Sequence, residues 1–152
     1  MIYITGDTHR RFERIRDFCN KMNTTKEDVL IVLGDAVINY YRDESDVNLK
    51  LVLSKLPITL LCIHGNHERR PSTIASYKVI EWNGGSVWVE DEYPNILFAK
   101  DGEVYDFNGI KTIVIGGAYS VDKFYRLSKG YNWFEDEQPS NEIKAYEYFP
   151  CN

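Results

Sequence analysis

Three short stretches carry residues able to do metal chemistry: Asp7-Thr8-His9, Gly34-Asp35 and Gly65-Asn66-His67-Glu68. Asp7 and His9 are two residues apart, so in extended backbone their side chains point the same way. Together they offer one cation a carboxylate and an imidazole. Asp35 adds a second carboxylate, able to bridge two ions, and Asn66 adds a neutral amide oxygen. A mixed oxygen and nitrogen set suits Mn, Fe or Zn better than calcium or a thiolate site. Two such ions about 3.5–4 Å apart clamp a phosphate and activate a bridging water for in-line attack. His67 is expected beside the ions, where it stabilises developing charge or protonates the leaving oxygen. The plainer alternative for Asp7, His9, Asp35 and Asn66 is turn and capping chemistry at strand ends. His64, one position outside the loop, reads as a packing residue or a support for the ligands rather than a ligand.

The elements that position these residues repeat one plan. Ile2-Tyr3-Ile4-Thr5 is a β-prone run that stops at Gly6-Asp7. Apolar residues at Phe12, Ile15, Phe18, Cys19 and Met22 have helical spacing. Val29 to Leu33 is a continuous apolar strand ending at Gly34-Asp35, and Ser45 is the expected N-cap of a helix closed by Pro57. A third strand, Ile58 to Cys62, leads into Gly65-Asn66-His67. Strand, polar glycine loop and helix in repetition predict a parallel sheet with right-handed crossovers, which puts the three loops at one edge. Open α/β sheets hold their ligands at that edge.

Beyond Pro71 the pattern changes. A helix is expected from Pro71 to a C-cap at Asn83-Gly84-Gly85. Ser86–Val89, Ile96–Ala99, Glu103–Phe107 and Ile110–Ile115 then read as an antiparallel meander, with tight turns at Asp101-Gly102 and Asn108-Gly109. Helical segments are expected over Val121–Ser128 and Ser140–Phe149. Trp133 to Glu137, between them, reads as a surface loop with anchored aromatics in preference to a lid over a substrate.

With 152 residues the natural count is one domain, large enough for a core. The net charge of -5 argues against a general nucleic-acid or membrane-surface binder without excluding a local basic site. No apolar run approaches a membrane span, and no basic-then-apolar leader precedes the first strand, so we expect a cytoplasmic protein. Cys19, Cys62 and Cys151 have neither zinc nor disulfide spacing and read as reduced. Seven of the eight arginines (Arg10, Arg11, Arg14, Arg16, Arg42, Arg69 and Arg70) follow closely on one of the three loops. They read either as positive charge steering a phosphate, with Arg10 and Arg69 the candidates for binding it, or as a solvated helix face.

At this point the chain resembles the calcineurin-like metallophosphoesterase superfamily, whose first three motifs match Gly6-Asp7-x-His9, Gly34-Asp35 and Gly65-Asn66-His67-Glu68 in order. Gly116-Gly117-Ala118-Tyr119-Ser120-Val121-Asp122 and Asp136-Glu137-Gln138-Pro139-Ser140 look like its bacterial branch. The resemblance implies an α/β fold of the four-layer αββα sandwich type and two divalent metal ions. It implies Asp7 and His9 on the first ion, Asp35 bridging, Asn66 on the second and His67 as the catalytic histidine. Arg10 and Val37 stand where the family often has glycine.

The resemblance also implies three further metal-binding histidines from later loops, whereas His9, His64 and His67 are the only histidines in the chain. We therefore expect residues 1–152 to form a single but incomplete metallophosphoesterase domain, truncated at its C-terminus, with its second metal site short of ligands. A phosphate-ester hydrolase using Mn, Fe or Zn is the leading expectation. A catalytically impaired fold serving as a binding or scaffolding module is the rival. A nuclease is a weaker third, since acidity and the absence of basic-aromatic interleaving count against it. Self-association through an exposed sheet edge is also expected.

Overall fold

The computed structural model describes residues 1–145. Strands β1 (Ile2–Thr5), β2 (Val29–Leu33) and β3 (Thr59–Ile63) alternate with helices α1 (Glu13–Met22) and α2 (Glu44–Ser54). They are followed by β4 (Lys78–Trp82), β5 (Gly85–Val89), β6 (Ile96–Ala99), β7 (Val104–Phe107), β8 (Ile110–Ile113), α3 (Lys123–Ser128) and α4 (Asn141–Ala145). Six strands form one sheet in the order β1-β2-β3-β6-β5-β4, and β7 and β8 form a separate ribbon. β1, β2, β3 and β6 run parallel, while β5 and β4 are antiparallel additions.

The alternation of side chains along each strand gives the sheet two apolar faces. Leu30, Val32, Leu60, Cys62, Ile96 and Phe98 face α1 and α2, where Phe12, Ile15, Cys19, Leu53 and Leu56 meet them. Val29, Ile31, Leu61, Val87 and Leu97 face the ribbon, where Tyr105 and Phe107 cover them. Fully burying each such side chain stabilises the fold by about 1.5–3 kcal/mol. Helices, six-stranded sheet and two-stranded ribbon thus lie in successive layers, a mixed α/β arrangement.

Three local expectations are corrected. The segment after Pro71 makes only a 3-10 turn, Pro71–Thr73, and then becomes β4. Asn83 and Gly84, read as a helix cap, have φ of 47° and 83° and close a two-residue hairpin that pairs Trp82 with Gly85. An Asn-Gly pair suits either role, and the β-branched and aromatic run before it decides for the strand. The expected meander is divided between the sheets. Asp101-Gly102 carries the chain from β6 across to the ribbon, where the buried Tyr105 hydroxyl donates to Ser86 O at 2.7 Å and accepts from Lys100 N–H. The N-cap of α2 is Asp43, whose carboxylate accepts the Ser45 N–H at 2.8 Å. Cys19 and Cys62 are buried and unpaired. Cys151 and the later part of the helix expected over Ser140–Phe149 lie outside the described residues.

Candidate metal centre

The register aligns Thr5 with Val32 and Leu33 with Ile63, so the loops after β1, β2 and β3 leave the sheet side by side. The first two are stitched together by backbone: His9 N–H donates to Asp35 O at 2.9 Å and Arg10 N–H to Ala36 O at 3.3 Å. This stitching needs left-handed backbone at His9, Arg10, Asp35 and Val37, with φ of 45°, 67°, 43° and 58°. Such a conformation costs an L-residue about 1–2 kcal/mol. Arg10 and Val37 are the two positions where the resembled pattern often has glycine, and the positive φ supplies the reason.

The third loop is pressed against the second. A Cβ on Gly65 would lie 2.0 Å from Asp35 Oδ1, so only glycine fits there. The His67 backbone N–H donates to that same Oδ1 at 3.0 Å. Asp35 Oδ2 is left between two imidazoles, 3.8 Å from His9 Nε2 and 3.6 Å from His67 Nδ1. Ligand atoms of His9, Asp35 and His67 all lie within 4.8 Å of one another, a grouping that could hold a metal ion. The His67 backbone bond to Asp35 brings its ring near Oδ2, so His67 stands beside His9 and Asp35 at this edge. Asp7 stands next to this trio, its Oδ2 3.3 Å from His9 Nε2, with its carboxylate exposed.

Asn66 lines a cavity of about 330 Å³ together with Asp7, Asp35 and Gly116. Its Nδ2 donates to Ser120 Oγ at 2.7 Å, which leaves Oδ1 free to ligate. Ser120 in turn gives its backbone N–H to Glu137 Oε1 at 3.3 Å, and Gly117 N–H donates to His64 O at 2.7 Å. Arg70 locks the same region. Its guanidinium pairs with Asp101 and donates to Asp136 O at 2.8 Å, and Asp101 accepts the Gly116 N–H at 2.7 Å. Sequence reasoning noted these glycines and the Asp136-Glu137 segment but gave Ser120 and Glu137 no role, and it read Arg70 only among the arginines that steer a phosphate or line a solvated face. The one available signal was that Asn66, if a ligand, needs a partner for its NH₂.

Two buried groups beneath the loops are shifted. Burial pushes the Glu68 carboxyl up to about 8; the Gly65 N–H opposes this and the nearby Asp35 charge adds to it. Burial, then the Arg70 charge, pushes His64 down to about 3, so its ring is neutral. Neither His64 nitrogen makes a hydrogen bond of good geometry among the described residues, although the Asp136 backbone lies near.

The two arginines expected to bind phosphate differ. Arg10 gives its donors to Asp46 Oδ1 at 2.7 Å, Val37 O at 2.9 Å and Ser45 Oγ at 2.8 Å. Its guanidinium therefore holds the start of α2. Arg69 lies over the Phe134 ring at 5.4 Å, and its Nε has no hydrogen-bond partner among the described residues. Phe134 is buried, so its segment is anchored as expected.

A mainly parallel α/β sheet that gathers two imidazoles and a carboxylate at the ends of adjacent strands defines an α/β protein with a candidate metal site. The family model of the calcineurin-like phosphoesterases matches residues 1–150, and the chain belongs to that family. Its members are usually hydrolases acting on phosphoesters and typically bind two divalent metals. Neither the curated proteins nor the solved structures yielded a match. No helix among the described residues is long and apolar enough to cross a membrane.

Proposed function

We propose that the chain is a divalent-metal-dependent phosphoesterase, hydrolysing a phosphomonoester or phosphodiester with metal-activated water. The observation that carries this reading is the convergence of His9, Asp35 and His67 within 4.8 Å at the sheet edge. The donor set suits Mn, Fe or Zn. Asp7 and His9 would hold a first ion, Asp35 would be shared between two, and Asn66 Oδ1 would serve the second. Ions held there supply charge for the phosphoryl oxygens and an activated water. His67 donates the proton to the leaving oxygen, and Arg69 holds a phosphoryl oxygen. The unpaired, buried Cys19 and Cys62 accord with a reducing, cytoplasmic setting.

Hydrolysis of p-nitrophenyl phosphate and its bis-ester with added manganese tests the reading. Wild type turns over, and Asp35→Asn and His67→Ala each lose at least about 10²-fold, in line with removing a general acid. The second reading, a metal-binding scaffold without efficient catalysis, is favoured by one observation. No histidine follows His67 in the sequence, so Asp35 and Asn66 are the only second-site ligands assigned. A folded chain that binds manganese without turnover decides for it.

A further inference from the structure

A second cavity, of about 290 Å³, has His9 and His67 in its lining and not Asn66. Tyr40, Tyr41, Tyr131 and Arg126 line it with the two histidines, and no carboxylate does. Its walls are built. Asn132 Nδ2 donates to Tyr40 O at 3.1 Å, and Tyr40 packs edge-on against buried Phe134 with ring centroids 5.6 Å apart. Arg126 is 5% exposed, with Nη2 donating to Asn132 O at 2.6 Å and Trp133 stacked 5.5 Å away. Its Nη1 is buried without a partner among the described residues. An unpaired guanidinium donor beneath an aromatic rim is unusual, because leaving it unmet costs about 1–3 kcal/mol. Tyr41 and Tyr131 are each 53% exposed; the Arg10 guanidinium lies 5.1 Å from the Tyr41 ring and Tyr125 meets Tyr131 edge-on, which leaves about half of each tyrosine open.

We infer that this cavity binds the leaving group of the substrate and takes a planar aromatic one, a nucleoside or an aryl group, stacked on the tyrosines with an acceptor edge toward Arg126. The inference rests on the phosphoesterase reading, in which His67 protonates the leaving oxygen, since His67 lines the cavity's wall. Tyrosine faces prefer flat π-systems, and the Arg126 guanidinium offers positive charge to an electron-rich edge. The volume sits at the lower end of small-molecule sites, which fits one ring system and excludes a folded partner.

Binding of paired esters tests this separately from turnover. With manganese present, calorimetry compares adenosine 5′-phosphate with ribose 5-phosphate, and phosphotyrosine with phosphoserine. Both members of the first pair leave through a ribose 5-hydroxyl, and they differ in whether the ribose carries a base. The aromatic member of at least one pair should bind about tenfold tighter, the scale of base stacking on an aromatic side chain. The first pair reports a nucleoside site and the second an aryl site. Tyr41→Ala and Tyr131→Ala should abolish the preference and leave ribose 5-phosphate and phosphoserine unchanged; both positions are half exposed, so folding is spared. Equal affinities within both pairs, a preference that survives both variants, or no binding of any ester overturns the inference. Aromatic preference without metal-dependent hydrolysis sinks the catalytic reading and keeps the cavity. Hydrolysis without the preference does the reverse.

Discussion

Glu68 and His64 lie beneath the same loop and respond to pH in opposite directions. Glu68 titrates at about 8 when folded and near 4.5 as an ordinary carboxyl. Between those values the folded state holds the extra proton, so stability falls as pH rises, by at most about 1.4 kcal/mol per pH unit. His64 stays neutral down to about 3 when folded, against 6.5 as an ordinary imidazole. The unfolded chain therefore binds the extra proton below 6.5, and stability falls as pH drops from there. The slopes oppose between 4.5 and 6.5, which leaves a plateau with a decline on each side. In chelator-treated protein, urea unfolding should give lower stability at pH 8 than at pH 6. Glu68→Gln should remove most of that difference; an unchanged difference would place its origin elsewhere.

Elements differ in how far they could be read from the residues. The β1–α1–β2–α2–β3 unit was legible because each apolar run ends in a glycine loop, and neighbouring parallel strands must deliver those loops to one edge. The convergence of His9 with Asp35 followed from topology alone. β4 was not legible, since Asn83-Gly84 serves a helix cap and a hairpin equally well and strand pairing settled the choice. The Arg10–Asp46 pair was out of reach for a related reason: the two lie 36 residues apart, and sequence proximity to His9 gave no hint of it. The Asn66–Ser120 bond was likewise out of reach, because it joins the loop after β3 to the segment leading into α3. That bond sets the amide's orientation, so Ser120→Ala should weaken manganese binding on the Asn66 side about tenfold or more. Mn(II) titration followed by electron paramagnetic resonance reads this directly. Ser120→Thr, which keeps the hydroxyl, should restore affinity. A Ser120→Ala protein with lower melting temperature and normal affinity would reduce the bond to a structural role.

Across the whole molecule, the ribbon covers only part of its face of the sheet. Ile4 is 64% exposed and Leu33 52% exposed on that face, and β1 pairs on one side only among the described residues. An uncovered apolar strip beside a free strand edge favours pairing with a second copy. Light scattering across a dilution series should show association, which Ile4→Lys with Leu33→Lys disperses; a monomer at every concentration rules it out. The bonds that hold Asn66 also have a place in time. Ser120 is 54 residues from Asn66, and Asp136 is 66 residues from Arg70. Contacts between distant positions form late, and on a ribosome the N-terminal strands emerge first. His9, Asp35 and His67 therefore come together while Ser120 and Asp136 are still being synthesised. The bonds that orient Asn66 and lock Arg70 can therefore close only once the last third of the chain has been made, so the Asn66 side of the cluster takes its final shape after the side that holds His9 and Asp35.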